Sequence, residues 1–153
     1  MRFELFSSWH KWVHRPSIGQ PGIYAIAFSA TNIEGKSFSF LKEIVYFGMT
    51  SSVAGLKGRL HQFENTIAGK SGHGGADRFL NNHSYEVLKK KLYVSVLPFV
   101  CDVASNKPAD LMTMGEIAKS EFVCFAEYVK YWGSLPKYNN KKDSPKFSKR
   151  KNL

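Results

Sequence analysis

Gly22-Ile23-Tyr24-Ala25-Ile26-Ala27-Phe28 and Glu43-Ile44-Val45-Tyr46-Phe47-Gly48 are the two runs whose reading decides the fold. Both are apolar, aromatic or β-branched and too short for buried helices, so Ile23–Phe28 and Glu43–Phe47 are predicted strands. Between them Asn32–Lys36 offers Gly35 for a turn, which makes the pair an antiparallel hairpin. Upstream, Pro16 and Pro21 with Gly19 between them break regular structure. Residues 1–20, with Trp9, Trp12 and Val13, therefore read as an N-terminal extension, and the main domain as 21–140.

Downstream of the hairpin, Thr50, Ser51 and Ser52 are expected caps for a helix carrying Leu56, Leu60, Phe63 and Ile67 at helical spacing, stopped by Gly69. Gly69 to Gly75 is a glycine-rich loop with His73, and a short helix is expected over 77–82. Leu92–Val100 is a third strand, in which Pro98 signals an edge position or an early end. Leu111–Trp132 has the apolar spacing of a long helix, terminated by Gly133 and Pro136. The order strand, strand, helix, strand, helix predicts an α+β class: a small, mainly antiparallel three-stranded sheet flanked by helices in a sandwich-like layering.

The chain has 153 residues, 43% of them apolar, with 12 Phe, 7 Tyr and 3 Trp, which is material for one core and not two. No stretch approaches the roughly 18 to 20 apolar residues of a membrane span. Met1–Arg15 mixes Glu4, His10, Lys11 and His14 with its aromatics, unlike a signal peptide. A soluble, cytoplasmic protein without a membrane partner is expected. Cys101 and Cys124 have no companion at zinc-ligand spacing and read as free thiols.

A net charge of +10 favours a polyanionic partner, nucleic acid before an anionic membrane surface. Half of that excess sits in the C-terminal tail 141–153, where Lys141, Lys142, Lys146, Lys149, Arg150 and Lys151 face Asp143 alone. These six cations are the expected nucleic-acid contacts of the tail.

Taken in order, Gly22-Ile23-Tyr24 opens the first strand, Tyr46-Phe47-Gly48 closes the second, and Arg59 lies in the next helix. Glu127 on the last helix is followed 12 positions on by Asn139, within Pro136-Lys137-Tyr138-Asn139. This ordered set resembles the GIY-YIG nuclease family over residues 22 to 139, with Phe47 in place of the usual isoleucine. Where many members carry a histidine four residues beyond the arginine, this chain has Phe63; His61 would leave the helix about 200° away from Arg59. His73 is the remaining candidate for a catalytic or phosphate-binding histidine.

The resemblance implies a metal-dependent endonuclease that hydrolyses phosphodiester bonds in nucleic acid, with DNA the expected substrate and Mg²⁺ (or Mn²⁺) the cofactor. It implies that Tyr24 helps activate the nucleophile, Tyr46 orients or donates to phosphate, Arg59 grips phosphate oxygens, Glu127 holds the metal and Asn139 braces the site. Glu121 and Glu116, on the same helix as Glu127, remain alternatives: Glu121 projects about 120° from Glu127, and Glu116 lies roughly 16 Å from it along the axis. A non-catalytic nucleic-acid-binding module on the same scaffold is the rival reading.

Overall fold

The computed structural model describes residues 1–70, 76, 79 and 82–139; His73, the short helix expected over 77–82 and the six tail cations therefore lie wholly or largely outside the described residues. Strands β1 (Ser7–Ser8), β2 (Gly22–Phe28), β3 (Ile44–Thr50) and β4 (Leu92–Pro98) form one antiparallel sheet in the order β1-β4-β2-β3. The α+β class and the hairpin are as the sequence predicts, but the sheet has four strands and not three. The added strand is two residues long and pairs Ser7 with Val94 and Ser8 with Tyr93. β4 is thus an internal strand, and Pro98 marks its end and not an edge.

Alternation along β2 sends side chains to two cores. Tyr24 and Ile26 face one, with Leu56, Leu60, Phe63 and Ile67 of helix α1 (Gly55–Ile67) above them. Ile23, Ala25 and Ala27 face the other, packed by Ile117, Cys124, Phe125 and Tyr128 of helix α3 (Pro108–Trp132). A short helix α2 (Tyr85–Lys91), capped by the Ser84 hydroxyl accepting from Val87 N–H, leads into β4 and was not foreseen.

Residues 1–20 do not stand apart from the domain. Trp9, Trp12 and Ile18 enter the first core from two 3-10 turns, Trp9–His14 and Pro16–Gly19, and Phe3 and Phe6 enter the second. The Trp9 indole donates to Glu64 of α1, whose other oxygen accepts from the Tyr85 hydroxyl. One carboxylate thus ties the N-terminal segment, α1 and α2 together.

The helix ends follow local chemistry. α3 opens with Pro108, whose missing N–H costs nothing in a first turn, and closes where Gly133 takes φ 80°. The hydroxyls expected to cap α1 do not do so: Ala54 is its N-cap, and Thr50 and Ser52 hydrogen-bond each other at 3.0 Å. Among the described residues no helix is long and apolar enough to cross a membrane.

Candidate active site

The glycines of the two motifs have steric causes. A Cβ at Gly22, where φ is +155°, would lie 2.1 Å from the Leu97 carbonyl oxygen, so only glycine lets β2 meet β4 this closely. A Cβ at Gly48 would lie 2.3 Å from both Cζ and the hydroxyl oxygen of Tyr24. The register explains the second: Tyr24 pairs with Gly48, and directly opposed residues share a face, so the phenol of Tyr24 lies across the strand where Gly48 has no side chain.

Tyr46 comes to the same face by alternation, two residues from Gly48 and opposite Ile26, and a register shift follows directly beyond it. Ile26 pairs with Tyr46 while Ala27 pairs with Ile44, so Val45 is the extra residue of a bulge. The rings of Tyr24 and Tyr46 then stand 6.1 Å apart, with Tyr46 half-buried and Tyr24 at 0% exposure. Arg59, half-buried on α1, hydrogen-bonds the Tyr24 hydroxyl and donates from Nη1 to Oε1 of Gln62 at 2.7 Å.

Burial holds the Tyr24 phenol well above its usual range, and the Tyr46 phenol pushes it the same way. The charge and hydrogen bond of Arg59 pull it back, and the Glu121 carboxylate raises it again. Of the α3 carboxylates, Glu121 is the one whose charge is felt at Tyr24. Glu121 shares the sheet-facing side of α3 with Ile117, Cys124 and Tyr128, which pack the core on the other side of β2 from Tyr24.

Glu127, favoured as metal ligand by its spacing to Asn139, leaves the helix about 120° away. It pairs instead with Lys130 at 3.0 Å on the same helix. Glu116 is exposed. His61 turns from Arg59 and sets its ring edge against Trp12, 5.0 Å between centroids, while Phe63 fills the core where a histidine would otherwise stand.

Asn139 is buried and wholly engaged by one backbone position. Its Oδ1 accepts from Phe47 N–H and its Nδ2 donates to the Phe47 carbonyl, both at 2.8 Å. Tyr138 N–H adds a bond to the Val45 carbonyl at 2.9 Å, and the Tyr138 ring stacks on Phe79 at 4.2 Å. The Pro-x-Tyr-Asn segment thus covers the open edge of β3 and fixes the strand that carries Tyr46 and Gly48.

Among the described residues no three His, Cys, Asp or Glu side chains converge as a ready-made metal cage. A lone carboxylate still suits Mg²⁺, which keeps several waters and takes one or two carboxylates together with substrate phosphate. Glu121, half-buried and with a charge felt at Tyr24, is such a carboxylate. Comparison with models of known protein families, with curated proteins and with solved structures finds no match for this chain.

Proposed function

We propose that this chain is a metal-dependent endonuclease of the GIY-YIG type that hydrolyses phosphodiester bonds in nucleic acid, with DNA the expected substrate. The observation that carries the reading is the convergence of Tyr24, Tyr46 and Arg59 on one face of the β2–β3 hairpin, with Gly48 making the room for it and the Glu121 charge felt at Tyr24. A basic chain of +10 supplies the attraction for the polyanion.

Arg59 binds the scissile phosphate, its planar fork able to offer two parallel charge-assisted bonds as negative charge builds on the phosphorane oxygens. Tyr24, buried and neutral, sets the guanidinium through their shared hydrogen bond, and is in this reading a positioning residue rather than the base that the family resemblance implies. Tyr46, the more exposed phenol, orients the attacking water or a phosphate oxygen. Glu121 would hold Mg²⁺ or Mn²⁺, which supplies positive charge and a water of lowered pKa. Asn139 keeps β3 in register beneath both phenols.

The complete burial of Tyr24 favours a second reading, a nucleic-acid-binding module that does not cut, because a phenol at 0% exposure cannot meet a substrate water without movement. Incubation of supercoiled plasmid with the protein and Mg²⁺, Mn²⁺ or EDTA separates the two. Nicking that EDTA abolishes supports the nuclease; a gel shift without nicking under either metal supports the module.

A further inference from the structure

Beside Arg59, at the junction of β3 and α1, lies an open cleft of about 400 Å³. That is near the lower end of the roughly 300 to 1,000 Å³ of small-ligand sites. Ser51 and Ser52 line it from the strand side, and Gly58, Arg59 and Gln62 from the helix. Its chemistry is that of an anion bound to a sugar: hydroxyl donors, one guanidinium and one amide, with no carboxylate on the wall.

The geometry points to this cleft as the subsite for the nucleotide unit that flanks the cleaved phosphodiester, with Gln62 as a positioning residue for Arg59. The inference rests on the reading of the neighbouring site as one that holds a phosphodiester.

Arg59 belongs to both places. It bonds Tyr24 on the catalytic side and lines the cleft on the other, so a strand gripped at one phosphate is delivered with its next sugar–phosphate in the cleft. Gln62 Oε1 accepts from Arg59 Nη1 at 2.7 Å, which removes rotamer freedom from a long side chain before any ligand arrives. With Oε1 committed, the amide nitrogen of Gln62 is the donor it offers to a ligand. Thr50 orients its neighbour by the 3.0 Å contact with Ser52, so the hydroxyl rim is held and not loose. Gly58 leaves the helix wall bare: a Cβ there would meet the Ala54 methyl at 2.4 Å. Glycine inside a helix is destabilising against alanine, and here it avoids that clash and keeps the width of the cleft.

The test is titration of the full-length, ¹⁵N-labelled chain with thymidine 3′,5′-bisphosphate in EDTA, with thymidine and inorganic phosphate as parallel arms. Amide shifts should concentrate at 50–52 and 58–62. The bisphosphate should bind at least about tenfold more tightly than inorganic phosphate, and thymidine should leave these amides unmoved. Gln62→Leu, at an exposed position where the fold is not at stake, should weaken the bisphosphate about fivefold or more. In any cleavage assay it should lower kcat as well as raise KM, because Arg59 acts on the reacting phosphate. Shifts confined to other basic surfaces, equal affinity for bisphosphate and inorganic phosphate, or an unaffected Gln62→Leu would overturn the subsite. A chain that cuts no nucleic acid but binds the bisphosphate here loses the nuclease reading alone. A chain that cuts plasmid but shows no shifts here loses the subsite alone.

Discussion

Replacing Asn139 by alanine removes two hydrogen bonds of 2.8 Å from one buried backbone position and leaves both the N–H and the carbonyl of Phe47 without that partner. Each buried group left unsatisfied costs roughly 1 to 3 kcal/mol. Because β3 is an edge strand, water can reach part of what is uncovered, so the loss should be about 2 to 4 kcal/mol. Against a typical domain stability of about 5 to 15 kcal/mol that is a large share. Urea denaturation followed by tryptophan fluorescence should show a lower midpoint with an unchanged slope, since the native fold is kept.

Asn139→Asp sharpens the test. Its carboxylate can still accept from Phe47 N–H but presents an oxygen lone pair to the Phe47 carbonyl where the amide donated. Burial beside that carbonyl should raise the folded-state pKa above the unfolded value of about 3.9. The contribution of the protonated acid is then present below that value and lost as pH rises through the folded pKa, so the variant should be weakest near neutrality and recover in mild acid. A loss under about 0.5 kcal/mol for Asn139→Ala, or an Asp variant whose deficit does not change with pH, would show that the amide clamp does not hold β3.

Gly48→Ala should cost about 1 to 3 kcal/mol in the same urea assay and abolish cleavage, because the added methyl must displace the Tyr24 phenol 2.3 Å away; a variant as stable as the parent would contradict the stacking of Tyr24 on Gly48. In an alkaline titration of phenolate absorbance, Tyr24 should ionise only with unfolding because of its burial, and Tyr85 should ionise late because the Glu64 carboxylate holds it up to about 12. Both folded values lie above the unfolded one, so their stabilisation is whole below about pH 10 and lost as pH rises through the folded pKa; seven tyrosines titrating together near 10 would refute it. Arg59→Lys should cut at most about a hundredth as fast while binding DNA almost normally, since an ammonium cannot reproduce the fork; near-parental cleavage would make Arg59 an ordinary surface cation.

The hairpin and the two main helices were legible because their periods are strong: β2 and β3 are continuous apolar runs, and Leu56, Leu60, Phe63 and Ile67 mark one helical face. β1 was not, since a strand of two serines has no period to read. The packing of the N-terminal segment into both cores is hidden in the sequence by the prolines that punctuate it. The density of Phe3, Phe6, Trp9 and Trp12 was the better signal, as side chains of that size need a core to bury them. α2 passed unseen because Tyr85–Lys91 buries only Leu88 and carries three lysines in its last turn.

At the site, the order of Tyr24, Tyr46 and Arg59 along the chain did bring them to one place, because the hairpin and the helix after it are adjacent elements. The carboxylate was harder. Spacing to Asn139 points to Glu127, whereas the phase set by Ile117, Cys124 and Tyr128 puts Glu121 on the sheet-facing side of α3, and spacing alone does not weigh the two. Burial of the Tyr24 hydroxyl could not be read from the motif, because it depends on α1 closing over β2.

In the proposed function one acidic side chain of α3, Glu121, completes a phosphodiester-cleaving site with Tyr24, Tyr46 and Arg59. Plasmid nicking in Mg²⁺ by Glu121→Gln and Glu127→Gln, each first shown to shift DNA in a gel, tests it most directly. Glu121→Gln should bind DNA but cut at most about a hundredth as fast, while Glu127→Gln should keep most of its activity. Parental cleavage by Glu121→Gln, or a dead Glu127→Gln, would contradict it.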